Sequence, residues 1–252
     1  MTLKELRVPA LIVAGFVLAA AAAHASVTEH VSKTFPLTTD GAIKLDNVNG
    51  DIEITGWDKP EVSVEAEKKG KTDEDLQRVD IQFDSSADRL VIKTKYEKTG
   101  WFHGNVNASV HYKLMVPAGA RLEKIDSVNS GIKVRGVQGA VDLETVNGGI
   151  DAAGLAADAH VESVNGSLRV EFASTDKVRE VKIESVNGGA EVVLPKGASA
   201  RIHTSSVNGG HSIDQPIKLS KSGRHHFSGE IGSGGPDVSI ETVNGGIHIR
   251  EK

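Results

Sequence analysis

The sequence contains no cysteine. This absence excludes disulfides, thiol catalysis, cysteine-based zinc sites and lipid attachment through an N-terminal cysteine. Aromatic residues are only 4% of the 252 residues, which fits closely stacked strands lined by Val, Ile and Leu better than a bulky globular core. The formal net charge is −5, and the chain therefore lacks the excess of basic residues that nucleic-acid binding requires, so we expect no nucleic-acid partner.

The longest apolar run, residues 10–23, is shorter than the roughly 18 residues of a transmembrane helix. It follows the basic residues Lys4 and Arg7 and precedes the small-x-small pattern Ala23-His24-Ala25. These three features are typical of a secretory signal peptide over residues 1–25. We therefore predict cleavage after Ala25, a periplasmic or secreted mature protein starting at Ser26, and no transmembrane segment in the mature chain.

One phrase, Val-Asn-Gly or Val-Asn-Ser, occurs seven times in the sequence. Counted from asparagine to asparagine, the later steps are 18, 18, 22, 21 and 36 residues. The last step is twice 18, which suggests a copy that has lost its signature. Repeats near this period indicate a stacked array in which each unit buries its apolar face against its neighbours.

The repeat extends over most of the mature chain, which we interpret as a single domain from residue 26 to 252. Residues 55–116 interrupt the array as an elaborated, insertion-like section, and the regular repeats fill residues 117–252. A domain boundary near Pro117 is the alternative. Within the section, residues 72–78 predict one helical turn capped by Thr72 or Asp73.

Two all-β folds fit the columns of the repeat. Aliphatic residues recur four residues before the asparagine and five after it, so each unit has two short strands flanking a corner. The first candidate is a right-handed β-solenoid, in which equivalent residues stack on successive coils. The second is an antiparallel hairpin meander with Asn-Gly as a type I′ turn. We favour the solenoid, because the meander would leave the valine before each asparagine on a solvated face.

The asparagine itself also favours the solenoid. A type I′ turn requires glycine more than asparagine, yet asparagine is present in every copy while Ser130 once replaces glycine. Stacked amides that bond from coil to coil would explain this preference. The predicted structural ladder consists of Asn49, Asn129, Asn147, Asn165, Asn187, Asn208 and Asn244.

Acidic residues recur three positions before the asparagine in six of the seven copies. Such a row could bind Ca²⁺. We interpret it instead as a solvated edge whose carboxylates pair with Lys44, Lys124 and Lys182. The histidines show no metal-ligand spacing that recurs with carboxylates, and the Ser or Thr residues before the valines suit a corner. The sequence thus predicts no catalytic residue, no metal ligand and no cofactor.

The concentrated large aromatic residues are Trp57, Trp101 and Phe102, all in the elaborated section. Insertions on solenoids often carry the binding face. If the protein has a ligand patch, we expect it at these three residues.

The repeats resemble those of a bacterial putative adhesin family, a β-strand-repeat domain of unknown function. The matching phrases are residues 45–52, the later Val-Asn-Gly-Gly copies and Gly229-Glu230-Ile231-Gly232. The resemblance implies an adhesin-like binding or scaffold role in the cell envelope, without enzymatic activity, with an envelope polymer or a protein as partner. The alternative is a glycan-active lyase or hydrolase on a solenoid scaffold. Two acidic residues from different columns beside an Arg or His would favour the enzyme, and a regular face would favour binding.

Overall fold

The computed structural model describes residues 26–97, 106–223 and 225–252. Within them the chain forms a sheet of 10 strands, here called sheet A, and a sheet of 11 strands, here called sheet B. Alternation of apolar and polar residues places one face of each strand in the core between the sheets, as in Val141–Asn147, where Val141, Leu143 and Thr145 are buried.

The first part of the chain contains seven strands and one helix: β1 (Val27–Pro36), β2 (Ala42–Asp46), β3 (Ile52–Trp57), β4 (Glu61–Gly70), α1 (Asp73–Gln77), β5 (Val79–Ser85), β6 (Arg89–Tyr96) and β7 (Ala108–Pro117). The second part contains β8 (Arg121–Ser127), β9 (Ile132–Arg135), β10 (Val141–Asn147), β11 (Ile150–Leu155), β12 (Ala159–Asn165), β13 (Leu168–Phe172), β14 (Glu180–Asn187), β15 (Ala190–Leu194), β16 (Ala200–Asn208), β17 (His211–Ile213), β18 (Ile217–Ser222), β19 (His226–Ile231), β20 (Asp237–Asn244) and β21 (Ile247–Glu251). The predicted helical turn is α1, and the Thr72 Oγ1 accepts a hydrogen bond from the Asp75 N–H at 3.2 Å.

Each repeat contributes one strand to sheet B, turns at the Val-Asn-Gly corner and contributes the next strand to sheet A. Strands of successive coils pair in parallel and in register, so that Asn147 lies beside Asn165 and Asn165 beside Asn187. No described residue other than glycine has a positive φ, whereas a type I′ turn needs positive φ at its asparagine. The β-solenoid prediction is therefore confirmed, and the hairpin meander is excluded.

The order of the coils in space differs from their order in the sequence. The last coil, β20 and β21, lies between the coil of β14 and β15 and the coil of β16 and β17. The array therefore does not follow chain order at this end. The inserted coil keeps the common register, with Asn244 beside both Asn187 and Asn208.

The 36-residue step does not contain a coil that has lost its signature, so that suggestion is wrong. Its extra residues form β18 and β19, which pair antiparallel with each other, and β19 pairs antiparallel with β16. Gly232 and Gly234, both at positive φ, lie in the loop that leads from β19 into β20. This hairpin ends sheet B and returns the chain for its final coil.

The elaborated section, residues 55–116, contains a further coil and part of an antiparallel end. Strands β6 and β7 pair in parallel with β2 and β3 and so extend the array by one coil without the repeat phrase. Beyond them, β4 and then β1 add to sheet A, and β5 adds to sheet B, all antiparallel. The buried apolar side chains form one continuous cluster from Leu37 to Ile249.

Candidate functional site

The asparagines of the seven corners form an unbroken chain of side-chain hydrogen bonds. Each side-chain N–H donates to the Oδ1 of the neighbouring asparagine, and all the bonds point in the same direction along the array. The six donor–acceptor distances lie between 2.8 and 3.0 Å, in the spatial order 49, 129, 147, 165, 187, 244 and 208. At the start of the chain, the Asn49 side chain donates a long contact of 3.5 Å to the Ala108 carbonyl and bonds the Tyr96 hydroxyl.

The residue after the asparagine is usually glycine because the coils approach each other closely at this point. A Cβ built on Gly148 would lie 2.1 Å from the Ser130 carbonyl oxygen, and one on Gly166 would lie 2.0 Å from the Gly148 carbonyl oxygen. Both distances are well inside van der Waals contact, so any side chain would push the coils apart. Serine fits at Ser130, where its Oγ accepts a hydrogen bond from the Gly50 N–H at 2.6 Å.

The valines of the repeat lie on the outer face of sheet B. Six of them are between 39% and 54% exposed: Val128, Val146, Val164, Val186, Val207 and Val243. The expectation that these valines avoid a solvated face is therefore wrong, although the fold that it favoured is correct. The strand continues through the valine to the asparagine, so the strict alternation turns Thr145 inward and Val146 outward.

The Ser or Thr residue before each of these valines is buried. Five of the six donate a hydrogen bond to a corner carbonyl, whereas the Ser127 Oγ has no partner among the described residues. The Thr145 Oγ1 donates to the Ser130 carbonyl at 2.9 Å, and the Ser163 Oγ donates to the Gly148 carbonyl at 2.9 Å. Four of these bonds join neighbouring coils, and the fifth, from Thr242 to the Gly245 carbonyl, lies within its own corner.

The exposed valines and the acidic row run side by side and line a groove of about 630 Å³. We call this surface the valine groove. Its acidic side consists of Asp126, Glu144, Glu162, Glu184 and Glu241, with Ser205 of β16 in the corresponding position, and its apolar side consists of the six exposed valines. Sequence reasoning identified the acidic row but missed the groove, although a spacing of two residues within one unbroken strand places both rows on the same face.

Lysines neutralise part of the acidic row. The Lys124 Nζ lies 2.8 Å from the Glu144 carboxylate and 3.7 Å from that of Asp126, and the Lys182 Nζ lies 3.0 Å from that of Glu184. The hydrogen bond to Glu144 raises the pKa of Lys124. Burial raises the pKa of Asp126 to about 6. Of the three lysines expected to pair with the acidic row, Lys124 and Lys182 do so.

Glu162 and Glu184 of the groove, together with His160 beside it, place ligand atoms within 4.8 Å of one another. Glu162 and Glu184 face each other on β12 and β14, and their carboxyl groups share a hydrogen bond that raises the pKa of Glu162 and lowers that of Glu184. The His160 Nε2 lies 2.7 Å from the Glu162 Oε1. These three side chains could hold a metal ion. Sequence reasoning did not group them, because the third comes from the neighbouring coil.

Of the three aromatic residues of the expected ligand patch, the structure describes only Trp57, which is not among the residues that line the groove. Trp57 lies at the end of β3 in sheet A, where its indole N–H donates to the Glu61 carbonyl at 2.8 Å and the Lys59 Nζ lies 4.6 Å from the ring. Trp101 and Phe102 lie outside the described residues, as does the signal segment 1–25. Within the described ranges, no helix is long and apolar enough to span a membrane.

Comparison with known proteins supports the architecture. The chain is similar to the crystal structure of a "putative cell adhesion protein" from Clostridium sporogenes, with 16% identity, a TM-score of 0.53, and 90% of this chain and 100% of that chain covered. It also matches a "putative adhesin" from Bacteroides fragilis with 13% identity, a TM-score of 0.42, and 89% and 97% of the two chains covered. The first likeness shows a shared fold. No curated protein matches the sequence.

Residues 118–250, more than half of the chain, match the family described as Toastrack DUF4097. The match covers the corners from Asn129 to Asn244 and their flanking strands in both sheets. This agrees with the resemblance to adhesin-like repeat proteins that the repeat phrases indicated. The chain therefore belongs to the Toastrack DUF4097 family.

Proposed function

We propose that this protein is an exported, non-enzymatic binding or scaffold protein of the cell envelope, and that it holds its partner in the valine groove. The observation that carries the proposal is the row of six exposed valines across six neighbouring coils. Single exposed apolar residues are ordinary on protein surfaces, but a contiguous apolar row beside charged residues marks an interaction site. In this proposal the mature chain, residues 26–252, acts as one unit.

The regularity of the groove supports binding over catalysis. A glycosidase needs two carboxyl groups held at least about 5 Å apart, one acting as acid and the other as base or nucleophile. In the groove the acidic residues belong to one repeated row, and Glu162 and Glu184, which face each other, share a hydrogen bond. His160 does lie beside acidic residues of two columns, 3.6 Å from Asp142 and 2.7 Å from Glu162, which is the arrangement that would favour an enzyme. It occurs at a single coil, whereas the valine row crosses six. The adhesin-like relatives, which are named for binding, support the same interpretation.

The absence of cysteine makes site-specific crosslinking a direct test. We would introduce Val164→Cys in the groove and, as the control, Leu219→Cys on β18, which is 55% exposed and lies outside the groove. Each variant, labelled with a photoactivatable crosslinker and returned to the native host's envelope fraction, reports what lies next to that position. The proposal expects a discrete adduct from position 164 alone. No adduct, or equal adducts from both positions, would contradict it.

The export part of the proposal has a separate test. Mass spectrometry of the protein from its native host should find an N-terminus at Ser26 in the periplasmic or secreted fraction. An intact N-terminus in the cytosolic fraction would contradict the envelope role, whatever the groove binds.

A further inference from the structure

We propose that the segment bound in the valine groove is a cationic amphipathic α-helix of a partner protein. This inference rests on the proposed binding function and deepens it by naming the chemistry and secondary structure of the occupant. It depends on the spacing of the exposed valines, on the charge of the row beside them and on the length of the groove.

The spacing of the valines matches a helix better than a strand. Neighbouring parallel strands lie about 4.8 Å apart, so the valines repeat at that distance along the array. An α-helix laid along the array repeats its apolar stripe about every 5.4 Å, once per turn. An extended strand presents side chains on one face about every 6.7 Å, and it would lose register with the valines within two coils.

The length of the groove sets the length of the helix. Six coils separated by about 4.8 Å give a row about 24 Å long. At about 1.5 Å per residue this corresponds to a helix of about 16 residues, or four to five turns. Valine side chains are short, so larger Leu or Ile residues of the occupant can pack against the row. Helices that lay an apolar face into a groove are a recurring mode of peptide recognition.

The charge of the groove selects a cationic occupant. Its acidic side contains five carboxylate residues, and Lys124 and Lys182 pair with Glu144 and Glu184. Glu241 makes no ion pair within the described ranges, and the Glu162 Oε1 lies 2.7 Å from the His160 Nε2. The face is therefore negative overall. Basic side chains beside the apolar stripe of a helix would reach the acidic row, whereas an acidic peptide or an anionic polymer would be repelled.

The test uses three synthetic 18-residue peptides that carry a fluorophore. The first has Leu at helical spacing flanked by Lys. The second has the same composition, with Leu and Lys alternating as in a strand. The third replaces every Lys of the first with Glu. Binding to the mature protein is measured by fluorescence anisotropy at low and at physiological salt. We expect the first peptide to bind at least tenfold more tightly than the second, and the third not to bind.

Two groove variants and two matched controls locate the binding. The triple change Val146→Ser, Val164→Ser and Val186→Ser removes half of the apolar row, and Leu219→Ser is its control. For the acidic row, Glu241→Gln has as its control Glu230→Gln on β19, outside the groove. We expect the triple variant to weaken binding at least tenfold and Glu241→Gln to weaken it several-fold, with a reduced salt dependence.

Both controls should bind as the wild type does, and circular dichroism should verify that every variant remains folded. The inference is overturned if the alternating peptide binds as tightly as the helical one, if the peptide with Glu binds, or if the groove variants bind as the wild type does. A crosslinked partner at position 164 together with any of these results would leave the proposed binding function in place and reject the helix. A missing adduct would instead reject the binding function itself.

Discussion

The asparagine ladder makes the sharpest prediction about stability, through the substitution Asn147→Asp. The Asn147 side chain donates to the Asn129 Oδ1 at 3.0 Å and accepts from the Asn165 side-chain N–H at 2.8 Å. A carboxylate at this position still accepts from Asn165, but it has no proton to donate to Asn129. The substitution therefore removes one bond and turns two oxygens towards each other.

The expected loss is about 1 kcal/mol in the free energy of unfolding. A typical intramolecular hydrogen bond contributes about 0.5–1.5 kcal/mol net. Repulsion between the two oxygens adds to this loss, while the stronger, charge-assisted bond from Asn165 offsets part of it. The asparagines at this corner and its neighbours are exposed, so water can solvate the new charge and no large burial penalty arises. Urea unfolding at pH 7 would measure the difference.

The direction of the ladder provides a matched control in the same column. Asn49 is the first acceptor of the chain, and its own donor contact, to the Ala108 carbonyl, is 3.5 Å long. Asn49→Asp therefore breaks no bond of the ladder and gains a charge-assisted bond from Asn129, although Asn49 is half-buried and its side chain also bonds the Tyr96 hydroxyl. We expect its loss in the free energy of unfolding to be smaller than that of Asn147→Asp.

Acid should reverse the effect at position 147. When the introduced carboxyl group is protonated it can again donate to Asn129, so the folded state binds that proton more tightly than the unfolded state does. The pKa of the group is then higher in the folded protein, and the loss, present above that pKa, should disappear as the pH falls below the unfolded value of about 3.9. Equal midpoints for the wild type and both variants, or a loss at position 147 that does not change with pH, would refute the reasoning.

Three further predictions concern the packing and charge of the coils. Gly148→Ala should destabilise the fold by about 1–3 kcal/mol, because its Cβ would overlap a backbone carbonyl of the neighbouring coil. Gly210→Ala is the control and should be nearly neutral, because a Cβ at this position has no atom within 4 Å. Thermal unfolding of both variants would measure the difference. Because burial raises the pKa of Asp126 to about 6, Asp126→Asn should be more stable than the wild type by about 1 kcal/mol above pH 6, and urea midpoints across pH should show the gain vanish below about pH 4. Tyr112→Phe should cost about 1–2 kcal/mol, because it leaves the buried Thr94 hydroxyl without the phenol that lies 2.7 Å away; a double-mutant cycle with Thr94→Val should recover most of this loss.

Local features of the fold were predictable because each depends on neighbouring residues. Thr72 caps α1 because its hydroxyl reaches an N–H three residues later, a relation that is visible in the sequence. The two strands of each coil follow from the aliphatic residues on either side of the corner, which require a buried face. The valine before each asparagine was expected to be shielded from solvent, but it is exposed. Periodicity shows that neighbouring residues of a strand face opposite ways. It does not show that the strand continues through this valine to the asparagine before the corner begins.

The components of the groove were readable in the sequence, but their arrangement was not. The acidic row was evident from its spacing to the asparagine, and two of the lysines expected beside it do pair with it. The contact of His160 and Glu162 with Glu184 joins two coils, so it depends on which strands are neighbours. The apolar side of the groove was missed because the valines were assumed to be buried.

The sequence by itself determined the repeating unit: two short strands on either side of a corner that contains asparagine. These features depend on a single coil and its contacts with a similar coil, so they recur in all seven copies. The reason for the glycine, which is the close approach of neighbouring coils, came only from the structure. Only the tertiary structure decided the order of the coils and the ends of the array. Because every coil presents the same inward pattern and the same register, β20 fits beside β14 and β16 equally well, and the final coil can enter between them. The hairpin of β18 and β19 turns the chain back and so places the final coil between its two neighbours. No periodic signal in the sequence encodes this hairpin.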